Sequence, residues 1–316
     1  EVPYKSKNPG VMHACGHDTH TAILMGTAEI LASIKSELKG TVKFIFQPAE
    51  EGPPEGEEGG AKLMVKEGVL ENPKVDVIFG LHINAQTEVG KIKYRPKGTM
   101  AASDLYTIKI NGKQTHGAYP WLGIDPITTA AQIIMGIQTI VSRNLNITES
   151  AAVISVGQIN AGVRSNVIPE ELTMTGTIRS LDSKVQDMMH SRLKKVVSSI
   201  AESAGATAEI KITNQTLITY NDPLLTEKMV PTLEITAGKD NVSITPAVTG
   251  AEDFSYFQEK IPGLYFFLGG APKGKPIEET APHHTPDFYI DESSFVLGMK
   301  ALSNLTIDYM EMNAKK

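Results

Sequence analysis

The sequence predicts an α/β protein with a smaller ferredoxin-like unit inserted into it. In the first hundred residues, strand-like apolar runs alternate with helical patterns, as is typical of an α/β sheet. Between residues 99 and 216 the order changes to βαββαβ, the ferredoxin-like pattern, and after residue 217 the α/β character returns. We therefore expect one domain from residues 1–98 and 217–316 and a second from residues 99–216.

Composition limits the classes of partner. The chain has 316 residues, long enough for two domains, and its net charge of −6 argues against a nucleic-acid partner. No apolar run reaches the roughly 18 residues of a membrane-spanning helix, so we expect no membrane partner. The single cysteine excludes an internal disulfide framework and favours the cytoplasm.

The first element is a helix that follows the cluster His13-Ala14-Cys15-Gly16-His17-Asp18-Thr19-His20. If this segment is extended, Cys15 and His17 project to the same side. Thiolate, imidazole and carboxylate together suit a borderline-soft divalent cation, with zinc the first candidate. Apolar residues at helical spacing follow, which places the cluster on a turn into a helix, where α/β proteins keep their sites.

Two predicted strands end near further ligand-type side chains. Residues 41–47 form an apolar run that predicts a buried strand, and Glu50 and Glu51 follow it. Neighbours in an extended chain point opposite ways, so one carboxylate could face a metal and the other a substrate. The alternative is a solvated acidic loop. Residues 75–82 form another predicted strand that ends on His82, which could instead be a hydrogen-bonded core residue.

In the inserted unit, we predict strands at 102–111, 152–159, 167–178 and 208–216, and helices at 125–141 and 185–200. His190 lies off the apolar stripe of the second helix, so we expect it on the surface. Beyond residue 217, we predict a helix at 225–236, strands at 242–245 and 263–268, and a final helix at 293–310. The pair His283-His284 lies in a loop, where chance is as good an explanation as ligation.

The candidate donors are too many for a closed structural zinc site, which uses four. They are Cys15, His17, Glu51, His82 and one histidine of the 283–284 pair. This number predicts an open site with two metal ions, in which a bridging water becomes the nucleophile. Glu50, beside a ligand, is then the expected general base. Zinc suits these donors, and manganese, cobalt and nickel remain open.

Six motifs carry a family resemblance in the right order: His-Ala-Cys-Gly-His-Asp, Phe-Gln-Pro-Ala-Glu-Glu, the strand ending in His82, His-Gly-Ala-Tyr-Pro, Gly-Ala-Glu-Asp-Phe-Ser and His-Thr-Pro. The chain resembles the peptidase M20 family over nearly its whole length. The nearest likeness is to the amidohydrolase branch, with N-acyl-amino-acid amidohydrolases, hippurate hydrolases and plant auxin-conjugate hydrolases. The resemblance implies a zinc-peptidase-like catalytic domain with an inserted ferredoxin-like lid and dimerisation domain.

The resemblance also implies roles for single residues. The metal ligands would be Cys15, His17, Glu51, His82 and His284. His284 is preferred to its neighbour because it directly precedes Thr-Pro. Cys15 would bridge two divalent metal ions as a thiolate. Glu50 would be general base and proton shuttle, and Asp18 would orient a ligand.

In the lid, His116 resembles the histidine that polarises the scissile carbonyl, which dimeric members take from the partner chain. Asn166 and Arg179 resemble the residues that hold the substrate carboxylate, a task that suits a guanidinium fork. The alternatives are a turn at a strand start for Asn166 and a surface salt bridge for Arg179. A homodimer formed through the lid is expected.

The expected activity is metal-dependent hydrolysis of the amide bond of an N-acyl amino acid or a dipeptide-like substrate. The alternatives are an M20-type carboxypeptidase or dipeptidase, a cysteine hydrolase using Cys15, and an impaired fragment that acts as a binding protein. Family members begin with a further segment, so we expect the opening part of this chain to be missing. That part could have carried a signal peptide.

Overall fold

The computed structural model describes residues 2–54 and 56–314. Its helices are α1 (His17–Ser33), α2 (Gly60–Lys66), α3 (Pro126–Asn144), α4 (Ser183–Ser203), α5 (Pro223–Ala237), α6 (Ser255–Gln258) and α7 (Phe295–Asn313). Its strands are β1 (Ile78–Glu88), β2 (Ile92–Tyr94), β3 (Lys97–Met100), β4 (Ala102–Asn111), β5 (Thr115–His116), β6 (Ala152–Ala161), β7 (Val167–Ile168), β8 (Glu171–Ser180), β9 (Thr207–Thr216), β10 (Thr219–Asn221), β11 (Val242–Ile244) and β12 (Gly263–Ala271).

The chain divides into two compact units. The first comprises the residues up to Lys97, Tyr220–Pro246 and the residues from Tyr256 onward. The second comprises Gly98–Thr219 and Ala247–Ser255. Within the described residues, no helix is both long enough and apolar enough to cross a membrane.

The first unit is built on a mixed sheet of order β1-β12-β2-β11. β12 is buried along its whole length and pairs parallel with β1 and antiparallel with β2. A continuous apolar run is what a strand covered on both faces requires. Helix α7 packs against α1 and α5, and side chains such as Ile23, Leu233 and Leu305 join Phe266 of β12 in one core. His82 lies on β1 of this sheet, and His17 is the first residue of α1.

The second unit is an antiparallel sheet of order β6-β8-β4-β9 with α3 and α4. Along β4, Tyr106, Ile108 and Ile110 alternate with exposed or half-buried positions and pack in one core with residues of both helices. Asp125 and Asp182 cap the two helices by accepting hydrogen bonds from backbone N–H groups of the first turn. The predicted βαββαβ order and the α/β fold class are confirmed.

The buried strand predicted at residues 41–47 is wrong, because none of these residues is assigned to a strand. An apolar run predicts a strand only where a neighbouring strand is there to pair with it, and the run does not contain that information. The segment is held instead by Lys43, whose Nζ atom donates to the carbonyl oxygens of Val69, Glu71 and Pro73.

Two predicted strand boundaries also need correction. β1 does not end at His82 but continues to Glu88, so this histidine lies in the middle of the strand. The strand expected at residues 167–178 is broken into β7 and β8, and Pro169, which has no N–H to give to a ladder, lies in the break.

The expected surface position of His190 is wrong. Its Nε2 atom lies 2.7 Å from Oδ2 of Asp104, a carboxylate with no exposed surface. The helical pattern showed that His190 lies beside the apolar stripe of α4. It could not show that a buried acid on β4 faces the histidine.

Candidate metal centre

The turn Cys15-Gly16-His17 carries the first two candidate ligands of the site. The prediction that this cluster lies on a turn into a helix is confirmed, since α1 begins at His17 and Gly16, its N-cap, has a left-handed φ of 99°. A Cβ atom at Gly16 would lie 2.4 Å from Cγ2 of Ile83 on β1. Only glycine therefore allows both the turn and the close approach to β1.

Cys15 belongs to two groups of potential ligands. One group is Cys15, His17 and His82, and the other is Cys15, Glu51 and His284. In each group the ligand atoms lie within 4.8 Å of one another. A thiolate common to two donor sets is the arrangement expected of a ligand that bridges two cations.

The tautomer of His82 follows from its hydrogen bonds. Its Nδ1 atom lies 2.6 Å from the carbonyl oxygen of Ile83, which can only accept, so Nδ1 carries the proton. Nε2 is then unprotonated and lies 3.4 Å from Sγ of Cys15. Burial lowers the pKa of His82 to about 3. The ring is therefore neutral and presents a lone pair, as a metal ligand must.

His17 faces two carboxylates. Its Nε2 atom lies 3.5 Å from Oε2 of Glu50 and 4.0 Å from Oε1 of Glu51, and it is buried without a hydrogen-bond partner among the described residues. Burial lowers the pKa of His17, and the nearby Glu51 opposes that shift. A buried imidazole nitrogen that lacks a hydrogen bond but faces carboxylates fits a site for a cation.

The two glutamates do not point in opposite directions, as an extended chain would require. Residues 50 and 51 lie in a turn, and both carboxylates approach the same histidine. Oε1 of Glu51 also lies 3.1 Å from Nε2 of His284. Glu51 is about half exposed, whereas the side chain of Glu50 is mostly covered. Turn geometry therefore brings both acids to the site.

Two residues of the site have left-handed backbones although they are not glycine. Ala49, directly before the glutamates, has a φ of 56°, and His284 has a φ of 63°. Such conformations cost of order 1–3 kcal/mol and collect at functional sites. The N–H of His284 donates to the carbonyl oxygen of Ala14 at 2.7 Å, which joins this loop to the cysteine turn.

The structure adds His20 and His283, to which the family motifs assign no role. Nε2 of His20 accepts from the N–H of Ile83 at 2.9 Å, and Nε2 of His283 accepts from the N–H of Ala85 at 3.0 Å. Burial lowers the pKa of both rings, that of His20 well below its ordinary value. The sequence indicated their place at the site only by their position beside candidate ligands, near His17 and next to His284.

Asp18 lies in the first turn of α1, with its carboxylate 4.0 Å from Nδ1 of His13. Both side chains are more than half exposed. The carbonyl oxygen of Ile83, and not Asp18, accepts from the ring of His82.

The other predicted site residues lie in the second unit. His116 on β5 is exposed and pairs with Val167 on β7, and the N–H of Gly117 donates to the carbonyl oxygen of Asn166 at 2.8 Å. His116 and Asn166 are therefore neighbours. Arg179, half-buried on β8, donates from Nη1 to the carbonyl oxygen of Ile178 at 3.1 Å.

Comparison with known proteins gives consistent matches. The sequence matches the Peptidase family M20/M25/M40 over residues 1–308. Thermostable carboxypeptidase 2 of Saccharolobus solfataricus is 40% identical over 310 residues, 98% of this chain and 76% of that protein. N-acetylcysteine deacetylase of Bacillus subtilis is 36% identical over 311 residues, 98% of this chain and 77% of that protein. The crystal structure of YxeP of Bacillus subtilis, described as a dinuclear metal binding peptidase from the M20 family, superposes with a TM-score of 0.80 at 34% identity, covering 98% of this chain and 77% of that one.

Proposed function

This chain belongs to the peptidase M20 family, in its amidohydrolase branch, and from that premise we propose that it hydrolyses the amide bond of N-acyl amino acids. It is a metallo-amidohydrolase or peptidase that acts on C–N bonds. One observation carries the proposal: the Cys15 thiol is common to two donor groups, with His17 and His82 in one and Glu51 and His284 in the other.

We propose these five side chains as the ligands of two divalent ions. The thiol and imidazole donors favour zinc, with manganese, cobalt or nickel as substitutes. When bound, such ions supply Lewis-acid polarisation of the amide carbonyl and activation of a water. The fit rests on the Cys15 thiol, which lies within 4.8 Å of two imidazoles in one group and of a carboxylate and an imidazole in the other.

Glu50 is the proposed general base. Its Oε2 atom lies 3.5 Å from Nε2 of His17, so the carboxylate is at the site, and its side chain is mostly covered. Glu50 takes a proton from the attacking water as a C–O bond forms at the carbonyl carbon. It then delivers that proton to the leaving nitrogen as the C–N bond breaks, which yields a carboxylic acid and an amine.

For the remaining residues we propose the roles that the family motifs indicate. His116 donates a hydrogen bond to the carbonyl oxygen as charge develops on it. Asn166 and Arg179 hold the free carboxylate of the substrate. Asp18, next in the chain to His17, orients a ligand. His116 on β5 and Asn166, the residue directly before β7, are neighbours, which supports a joint role.

The second candidate function is that of a carboxypeptidase or dipeptidase. It is favoured by the 40% identity to thermostable carboxypeptidase 2. Both reactions cleave an amide bond beside a free carboxylate, so the proposed Arg179 and Asn166 would serve either. What separates them is the group on the acyl side, a simple acid in one and an amino acid in the other.

We also propose a homodimer formed through the second unit. β6 is an outer strand of its four-stranded sheet, with exposed apolar side chains at Val153 and Ile159. An outer strand with apolar side chains pairs readily with a second copy across a two-fold axis.

The test combines elemental analysis with hydrolysis of N-acetyl and N-benzoyl amino acids and of matched dipeptides. We expect about two equivalents of metal, hydrolysis that a chelator abolishes, and a preference for the acyl compounds. Glu50→Gln should retain metal and lose activity by roughly two to four orders of magnitude. Full activity in that variant would exclude the proposed base, and preference for dipeptides would favour the second candidate.

A further inference from the structure

Two histidines from distant parts of the chain hold the same side of β1. The N–H groups of Ile83 and Ala85 donate to Nε2 of His20 and to Nε2 of His283, at 2.9 and 3.0 Å. These two residues alternate with His82 and Asn84, so their backbone groups face away from β12. The strand segment that carries His82 is thus fixed by two imidazole rings.

His283 also holds the cysteine turn. Its Nδ1 atom lies 3.0 Å from the carbonyl oxygen of Cys15, so Nδ1–H donates there while Nε2 accepts from Ala85. Both ring nitrogens are therefore used within the protein. Because His284 follows directly, one dipeptide contributes a candidate ligand and a ring that joins two other ligand-bearing segments.

We propose that His283 and His20 are positioning residues that fix the separation of Cys15, His82 and His284 before a metal binds. This inference rests on the proposed function, because it needs a site that binds metal. The rings of His20 and His283 lie 4.6 and 5.3 Å from that of His82, centroid to centroid. A shift of either ring therefore moves the His82 ring or the strand under it.

The hydrogen bonds define which substitutions keep the function. A residue at position 283 needs a donor in place of Nδ1 and an acceptor in place of Nε2. Asparagine offers an N–H near the first place and keeps the bond to Cys15, whereas alanine offers neither. At position 20, glutamine offers an oxygen that accepts from Ile83, whereas leucine of similar size offers none.

The experiment measures binding of Co²⁺ alone to chelator-treated protein, by calorimetry and by the visible spectrum of the Co²⁺–thiolate complex. We expect His283→Ala and His20→Leu to weaken Co²⁺ binding by about 10- to 100-fold and to alter the thiolate band. His283→Asn and His20→Gln should recover part of the affinity. His13→Ala, which removes an exposed histidine beside the same motif, is the matched control and should bind as the wild type does.

The outcomes are distinct. If the wild type binds no Co²⁺, the proposed function fails and this inference fails with it. If the wild type binds and His283→Ala and His20→Leu bind equally well with the same spectrum, the inference alone is overturned. If circular dichroism shows that His283→Ala or His20→Leu does not fold, the test uses His283→Asn and His20→Gln, compared with the wild type, instead. Co²⁺ binding with the thiolate band retained in both variants would support the inference, and loss of Co²⁺ binding in both, although both fold, would overturn it.

Discussion

Nε2 of His190 on α4 lies 2.7 Å from Oδ2 of Asp104 on β4, and that carboxylate has no exposed surface. Gln186, one turn earlier on the helix, donates from Nε2 to both oxygens of the same carboxylate, at 3.1 and 2.9 Å. The buried acid is thus satisfied entirely from one helix of the second unit.

Removing His190 should therefore destabilise the second unit strongly. His190→Ala removes the closest partner of the buried Asp104 carboxylate, while Gln186 still donates to both oxygens, so we expect a loss of about 1–3 kcal/mol of unfolding free energy. Urea unfolding followed by circular dichroism measures it. Lys194→Ala, at an exposed position on the same helix, should change the free energy by less than about 0.5 kcal/mol. Equal stability of the two variants would show that the pair is not needed.

Gly16→Ala tests the close approach of the cysteine turn to β1. Alanine would adopt a left-handed φ and place its Cβ 2.4 Å from Cγ2 of Ile83, so we expect a loss of about 2 kcal/mol or more together with weaker metal binding. Gly10→Ala is the control, because Gly10 also has a positive φ but its Cβ would have no heavy atom within 4 Å. It should cost only about 1 kcal/mol. Thermal unfolding of the two variants measures the loss of stability in each. Similar losses in Gly16→Ala and Gly10→Ala would contradict a steric clash with Ile83, because both variants share the positive φ.

The shared position of Cys15 predicts unequal metal losses. His284→Ala removes a donor from one group only, so about half of the bound metal should remain. Cys15→Ala removes a donor from both groups and should leave almost none. Elemental analysis after gel filtration gives the stoichiometry, with Glu57→Ala in the exposed acidic loop as the control. A full metal content in Cys15→Ala would rule out a bridging thiolate.

The buried imidazoles predict a stability that falls with acid. Burial holds the pKa of His82 at about 3 and that of His20 well below 6.5, so the unfolded chain binds protons that the native state does not. The stabilisation is fully present above pH 6.5 and is lost as the pH falls toward the native pKa values. In chelator-treated protein we expect a slope of about 1.4 kcal/mol per pH unit for each histidine below pH 6.5.

Urea midpoints between pH 7.5 and 5, above the range where most carboxylates titrate, measure this slope. His20→Gln, which removes one of the imidazoles whose pKa burial lowers, should reduce this slope. A midpoint that does not change with pH would mean that these rings are protonated in the native state.

The fold could be predicted where the signal for an element lies within that element's own sequence. The alternation along β4 and the helical spacing of apolar residues in α3 and α4 are local signals, and those elements are confirmed. The prediction of a strand at residues 41–47 was wrong because strand pairing depends on a neighbouring strand, which the apolar run does not specify. The predicted surface position of His190 was wrong because its partner, Asp104, lies 86 residues away in the sequence.

The site divides in the same way. The spacing of Cys15 and His17 indicated metal chemistry, but the turn that joins them depends on the contact between Gly16 and Ile83. His283 could not be assigned a task from sequence, since both of its hydrogen-bond partners are backbone groups of other segments. Side-chain chemistry can be read from residue types, whereas backbone partners require the folded chain.

The rings of His20 and His283, which accept hydrogen bonds from β1, also restrict where a further strand can pair with β1. A strand that pairs along the outer side of β1 would need the N–H groups of Ile83 and Ala85, and both are already bonded to imidazoles. A strand added there therefore cannot pair with the N–H groups of Ile83 and Ala85. Outer strands with vacant N–H groups are templates for aggregation. Here the two histidines protect the segment that carries His82 from pairing with another chain.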